Sequence, residues 1–249
     1  MDNRKIGVFD SGIGGLTCLS DLVEKFPHED FLYLADNLNC PYGTKTKAEL
    51  EQIVSNIIKY FELQDVKAII IACNTATANS YHIKSKVPII RIIEPTAQIA
   101  NTISSNIGLL ATNFTVSSKV YERYITGNVT GVPCSEFVGL VEEGLMGTET
   151  AFKIVEEKLY SLIGKVDTVI LGCTHFGLLT EEIKACLGNI NIVDSSLSVA
   201  PILKGILEDK ASSAKKGSIE ILVTKDEMLN IKWFNKPYQS MKLVRINNY

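Results

Sequence analysis

Apolar and polar positions along this chain follow two periods that take turns. Short runs rich in β-branched residues read as strands covered on both faces, and longer stretches with apolar residues three and four apart read as amphipathic helices. Residues 5–10 predict a strand. Leu16, Leu19, Leu22, Val23 and Phe26 then predict a helix over 16–26 that Pro27 stops. Further strands are expected at 31–36, 67–72 and 87–93, the last closed by Glu94-Pro95. Between them fall a helix over 46–62, with Leu50, Ile53, Val54, Ile57, Ile58 and Phe61 on one face, and another over 76–86.

A second series repeats the alternation. Helices are expected at 98–104, 116–124, 148–163, 178–187 and 198–208, and strands at 107–111, 134–138, 167–172 and 190–194. Residues 140–144 read as a loop or helix start. Residues 210–217 are the most linker-like part of the chain, and 219–224 form one more strand. The tail from Lys225 has no clear period, although Trp233 and Phe234 suggest that it packs on something. Two series of strands with helices between them predict two α/β lobes with mostly parallel sheets.

Composition narrows the class. The 249 residues suffice for one large α/β domain or two small lobes, and 46% hydrophobic with 21% charged is ordinary for a globular protein. A net charge of −3 argues against a general nucleic-acid or anionic-membrane surface. No basic-then-apolar leader opens the chain and no apolar run approaches a membrane span, so a cytoplasmic location is expected. The six cysteines are scattered, with no Cys-x-x-Cys, as reduced thiols would be.

The candidate chemistry lies at two matching strand ends. Lys67-Ala-Ile-Ile-Ile-Ala-Cys-Asn-Thr75 and Asp167-Thr-Val-Ile-Leu-Gly-Cys-Thr-His175 each run from β-branched residues to a small residue, a cysteine and a polar pair. In open α/β sheets the residues just past a strand's carboxyl end face the ligand crevice. Lobes related by a pseudo-two-fold would set Cys73 and Cys173 across one cleft, and ligand sites favour such interfaces. A cysteine taken alone is more often a small buried hydrophobe than a nucleophile, and it is the shared place of these two at strand ends, beside hydrogen-bonding residues, that points to chemistry. The glycine-rich turn Asp10-Ser-Gly-Ile-Gly-Gly15 lacks dinucleotide and Walker spacing, and its carboxylate would repel a phosphate. An amine-bearing ligand suits Asp10, and Ser11 with the helix-start N–H groups could hold a carboxylate; a plain tight turn remains the alternative. His175 could tune a neighbouring thiol or shuttle its proton. Cys173-Thr-His175 could also open a zinc site, but three histidines and no second Cys/His cluster argue against any metal. Tyr42 and Asp36 lie near a strand end, and Glu142 and Glu143 at a helix start.

Five motifs, Phe9-Asp-Ser-Gly-Ile-Gly-Gly15, Pro41-Tyr-Gly43, Ala72-Cys-Asn-Thr-Ala76, Glu94-Pro95 and Gly172-Cys-Thr-His-Phe176, resemble in order and spacing those of glutamate racemases, within the aspartate/glutamate racemase superfamily. The likeness runs from Ile6 to about Asp194. It implies two facing Rossmann-like lobes related by pseudo-two-fold symmetry, residues 1–95 completed by a returning 211–249, and residues 96–210. It also implies a cofactor-independent racemase whose product, D-glutamate, enters peptidoglycan precursors.

Carried over by position, Cys73 and Cys173 match the two acid/base thiols, with Asp10 assisting the first and His175 the second. Ser11, Pro41, Tyr42, Gly43, Asn74, Thr75 and Thr174, with Asp10 and His175, match substrate-contacting positions, and Asp36 and Glu142 match further acidic residues. Arg91 and Ala111 stand where glycine is common, and Gly139 and Gly177 where proline is common. The implied partner is a small-molecule substrate, glutamate, and a homodimer is allowed. A racemase of aspartate, a non-catalytic bilobal binding protein and a nucleotide module are the alternatives. The paired thiols argue against the second, and the absent phosphate fingerprint against the third.

Overall fold

The computed structural model describes residues 2–208, 211–212, 216–225, 241–246 and 249. The first half runs β1 (Ile6–Asp10), α1 (Leu16–Lys25), β2 (Phe31–Ala35), α2 (Lys47–Leu63), β3 (Ala68–Ile71), α3 (Asn74–Ala78) and β4 (Ile89–Arg91). The chain continues through α4 (Ile93–Ile103), β5 (Asn106–Ala111), α5 (Asn113–Ser118), β6 (Asn128–Pro133), α6 (Glu136–Glu142), α7 (Glu149–Leu159) and β7 (Thr168–Gly172). It closes with α8 (Thr180–Leu187), β8 (Asn191–Asp194), α9 (Ala200–Leu207), β9 (Ile219–Val223) and β10 (Met241–Arg245).

These strands form a sheet in the order β10-β9-β2-β1-β3-β4 and another in the order β6-β5-β7-β8, with every pairing among the described strands parallel. The mixed α/β class with two parallel sheets is therefore the one that the alternating periods predict. The strand at 219–224 joins the first sheet, pairing with β2 from Phe31↔Ile219 to Ala35↔Val223.

The side-chain period of a strand separates three cores. Phe9, Leu34, Ile69 and Ile71 face α2, whose Leu50, Val54, Ile57 and Phe61 are fully buried against them. Thr46 starts that helix with a capping box, its hydroxyl accepting from Glu49 N while the Glu49 carboxylate accepts from Thr46 N. On the other face Val8, Tyr33 and Ile70 join Leu109 and Ile170 of the second sheet in one continuous cluster. Leu110, Val169 and Leu171 pack outward with Val155, Leu159 and Ile183 of α7 and α8. The central cluster belongs to both sheets, so the carboxyl ends of β1, β3 and β7 are positioned by one body of packed side chains.

Several elements depart from the periodicity. The helix expected over 76–86 begins at Asn74 and ends at Ala78. The Arg91 guanidinium takes over the following loop, donating to the carbonyls of Ser80 and Ile83 at 2.9 and 2.8 Å. α4 starts at Ile93 instead of residue 98 because Pro95 lies in its first turn, where a missing N–H costs no helical bond. The helix expected over 116–124 is α5 followed by a 3-10 turn over Tyr121–Arg123. The strand expected at 134–138 lies upstream as β6, a largely exposed edge with one buried position that gives no apolar run; Glu136 begins α6 in its place. Trp233 and Phe234 fall outside the described residues.

Candidate active site

β3 ends at Ile71, and the chain turns at Cys73 into α3. Cys73 is the N-cap of that helix, its sulfur accepting from Ala76 N at 3.5 Å and lying 4.0 Å from Ser11 Oγ. Asp10 ends β1 beside it and is fully buried. Its Oδ2 accepts from Gly15 N and from Thr174 Oγ1, the latter at 3.1 Å. Its Oδ1 is buried with no hydrogen-bond partner. Gly15 has to be glycine here, since an added Cβ would stand 2.4 Å from Asp10 Cβ.

β7 delivers the second thiol in the same way. Cys173 follows Gly172, and its sulfur lies 3.7 Å from His175 Nδ1. The other ring nitrogen, Nε2, lies 2.7 Å from Glu142 Oε1 at the end of α6. Both nitrogens of His175 thus have protein partners, and its ring bridges the thiol and the carboxylate. Gly14 approaches so closely that an added Cβ would stand 2.6 Å from His175 Nδ1 and from Thr174 Oγ1.

The two thiols line one cavity. Ser11, Pro41, Tyr42, Gly43, Asn74, Thr75, Thr174 and His175 line it as expected, with Thr112 and Val138 added, while Asp10 lies buried behind this lining. Its volume is about 20 Å3, room for one water molecule. Burial, reinforced by the nearby Asp10 charge, pushes the Cys73 thiol well above its ordinary range. Burial also raises the Asp10 carboxyl, against the opposing pull of His175 and Thr174. At His175 burial acts to lower the pKa, but hydrogen bonds with Cys173 and Glu142 outweigh it and push the imidazole up to about 10. The surroundings thus favour the thiol form of Cys73 and the protonated form of His175.

Not every expected residue has its side chain free for a ligand. Asn74 Nδ2 donates to Ser195 Oγ at 2.9 Å, and Asn74 Oδ1 accepts from Tyr121 Oη at 2.7 Å. Its amide is spent on tying α3 to the second half of the chain. Thr75 Oγ1 pairs with Thr112 Oγ1 at 2.9 Å. Asp36 stands behind the cavity wall and accepts from Tyr42 Oη at 2.7 Å. Glu142 reaches the site through His175. Thr112 was missed by sequence reasoning, though it follows β5 as Cys73 follows β3, and the strand-end rule would have found it. Ser195 follows β8 in the same way, whereas Tyr121 carries no such signal.

Among the positions that differ from the resembled pattern, Gly139 has open space where a Cβ would lie. An added Cβ at Gly177 would stand 2.4 Å from Asp194 Oδ2, so glycine lets that carboxylate approach. Ala111 is fully buried at the end of β5. Among the described residues no group of three or more His, Cys, Asp or Glu could hold a metal ion, and no helix is long and apolar enough to cross a membrane.

The family model Asp/Glu/Hydantoin racemase matches residues 10–200. The chain is 38% identical over 237 residues to glutamate racemase 2 of Caldanaerobacter subterraneus subsp. tengcongensis, covering 91% of this chain and 90% of that protein. The crystal structure of glutamate racemase from Thermus thermophilus in complex with β-chloro-D-alanine superposes with a TM-score of 0.90 at 33% identity, over 99% of both chains. That of glutamate racemase from Francisella tularensis in complex with D-glutamate gives 0.91 at 31%, over 100% of both. A fold, a paired-thiol cavity and a match over most of the chain agree: this protein belongs to the Asp/Glu/Hydantoin racemase family.

Proposed function

We propose that this chain interconverts L- and D-glutamate without a cofactor, with Cys73 and Cys173 as opposed acid and base. The observation that carries this reading is the shared cavity, into which strands of two different sheets each deliver one thiol. Racemisation takes a proton from one face of Cα and returns one to the other. One group cannot easily serve both faces of a held substrate, so two proton carriers suit the task. A thiol is apt because its pKa lies near enough to neutrality to act in either form.

One thiolate removes the Cα proton and becomes a thiol, the carbanion forms, and the opposite thiol gives its proton to the other face and becomes a thiolate. Asp10, with Oδ1 unpartnered, suits the substrate ammonium and assists Cys73. The hydroxyl of Ser11 and the backbone N–H groups around Ser11, Thr75 and Thr174 suit the carboxylates and stabilise the carbanion electrostatically. His175, held by Glu142, assists Cys173 by holding and moving its proton. The reaction is placed in the cytoplasm, where its D-glutamate supplies peptidoglycan precursors. β9 and β10 in the first sheet support a first lobe of residues 1–95 completed by 211–249.

The test is circular dichroism of L- and D-glutamate with purified protein and no added cofactor. Both enantiomers should decay to the same null signal. No change with either overturns the reading, and loss of signal with aspartate alone moves the substrate to aspartate.

A further inference from the structure

Among the described residues, four neutral donors bond the Asp36 carboxylate. Tyr42 Oη and Tyr249 Oη each donate to Oδ2 at 2.7 Å, Thr224 Oγ1 donates to Oδ1 at 3.1 Å, and Asn39 Nδ2 lies 3.1 and 3.0 Å from the two oxygens. The Asp36 backbone is fixed as well, its N–H donating to Asp10 O at 3.0 Å. Hydrogen bonds to an ionised acceptor are the stronger kind, and a buried carboxylate depends on all of them. Tyr249 also accepts from Asn39 Nδ2 at 3.0 Å and packs against the apolar cluster that includes Tyr42.

Two of those donors, Thr224 and Tyr249, lie more than 180 positions further along the chain. One of the others, Tyr42, opens the 3-10 turn Tyr42–Thr44 that forms a wall of the cavity. Both phenols converge on one oxygen, so the position of Tyr42 Oη depends on where Tyr249 holds Asp36.

We propose that Tyr249 is a positioning residue of the active site, fixing the Tyr42-Gly43 wall through the shared Asp36 carboxylate. The inference rests on reading that cavity as the glutamate site. Tyr249 makes no contact with the thiols, so it acts on the placing of substrate more than on proton transfer, and its loss falls on KM more than on kcat.

The experiment uses the full chain with Tyr249→Phe, Tyr42→Phe and the double variant. Tyr249→Phe keeps the ring and removes one charge-assisted hydrogen bond, so KM for glutamate should rise about tenfold with kcat within about threefold. In the Tyr42→Phe background the same substitution should change KM by less than about twofold, because the path through Asp36 is already cut. Hydrogen exchange at the Thr44 and Lys45 amides, which donate to the carbonyls of Pro41 and Tyr42, should quicken about tenfold in Tyr249→Phe. Unchanged exchange at those amides overturns the proposal whatever the kinetics show. So does an equal KM effect in both backgrounds, or a lowered melting temperature with KM unmoved. If the unsubstituted protein fails to racemise glutamate, the proposed function falls, and the exchange rates alone then decide the role of Tyr249.

Discussion

Thr174 Oγ1 donates to Asp10 Oδ2 at 3.1 Å, joining the neighbour of Cys173 to the carboxylate beside Cys73. The two thiol walls are thus linked by this hydrogen bond as well as by those of Asn74 with Ser195 and Thr75 with Thr112.

Thr174→Val removes that bond while keeping the side-chain volume. The bond holds the Asp10 carboxyl down against burial, so its loss raises that pKa further. The acid limb of kcat/KM should move to higher pH, with activity at neutral pH falling by about tenfold. A pH profile that superposes on the unsubstituted one would show that Asp10 does not feel Thr174.

Cys73→Ala and Cys173→Ala should each lower turnover by about 10²- to 10⁴-fold or more, the range of one positioned acid/base. Both sites tolerate a small buried side chain, so far-ultraviolet dichroism should be unchanged. Substantial racemisation by either variant would rule out the two-base assignment.

His175 carries a pH signature in stability. Its pKa is raised from 6.5 to about 10, so its stabilising contribution is complete below 6.5 and is lost as pH rises through 10. Glu142→Gln removes one of the partners that raise it. Thermal melts across that range should therefore show the variant losing stability at lower pH than the unsubstituted protein. Parallel curves would mean that the 2.7 Å contact between His175 and Glu142 contributes nothing.

Two opposed bases also leave a label pattern. With L-glutamate in D2O, newly formed D-glutamate should carry deuterium at Cα from its first appearance. Recovered L-glutamate should stay largely protiated early in the run, because the abstracting thiol returns the hydrogen it took. The asymmetry should reverse when D-glutamate is the starting material. Mass spectrometry of the separated enantiomers at low conversion reads it, and equal labelling of substrate and product in both directions would argue for a single base.

The strands that carry the site were the most legible part of the chain. β1, β3 and β7 are buried on both faces, and their continuous apolar runs could hardly be read otherwise. The cysteines and their polar neighbours followed from the strand ends. β6 was not legible, because an edge strand with a half-exposed face carries little apolar signal. The early end of α3 was hidden for another reason. Arg91, distant from it along the chain, satisfies the carbonyls of the loop that follows, and local propensity does not register a remote donor. The supports of Asn74 and Asp36 are tertiary in the same sense: Ser195, Tyr121 and Tyr249 acquire their roles only when the chain is folded.

A cavity of about 20 Å3 has room for one water molecule, and an amino acid is many times larger. The shared cluster that spans both sheets resists their separation, and the Tyr42-Gly43 wall is anchored through Asp36, so admission falls to the half-buried segment around Val138. Each turnover then begins and ends with a displacement of that segment, a motion that works against solvent friction. Sucrose or another viscogen should slow kcat where these excursions limit it, while the Cα–H bond itself is broken in a compartment from which bulk water is excluded.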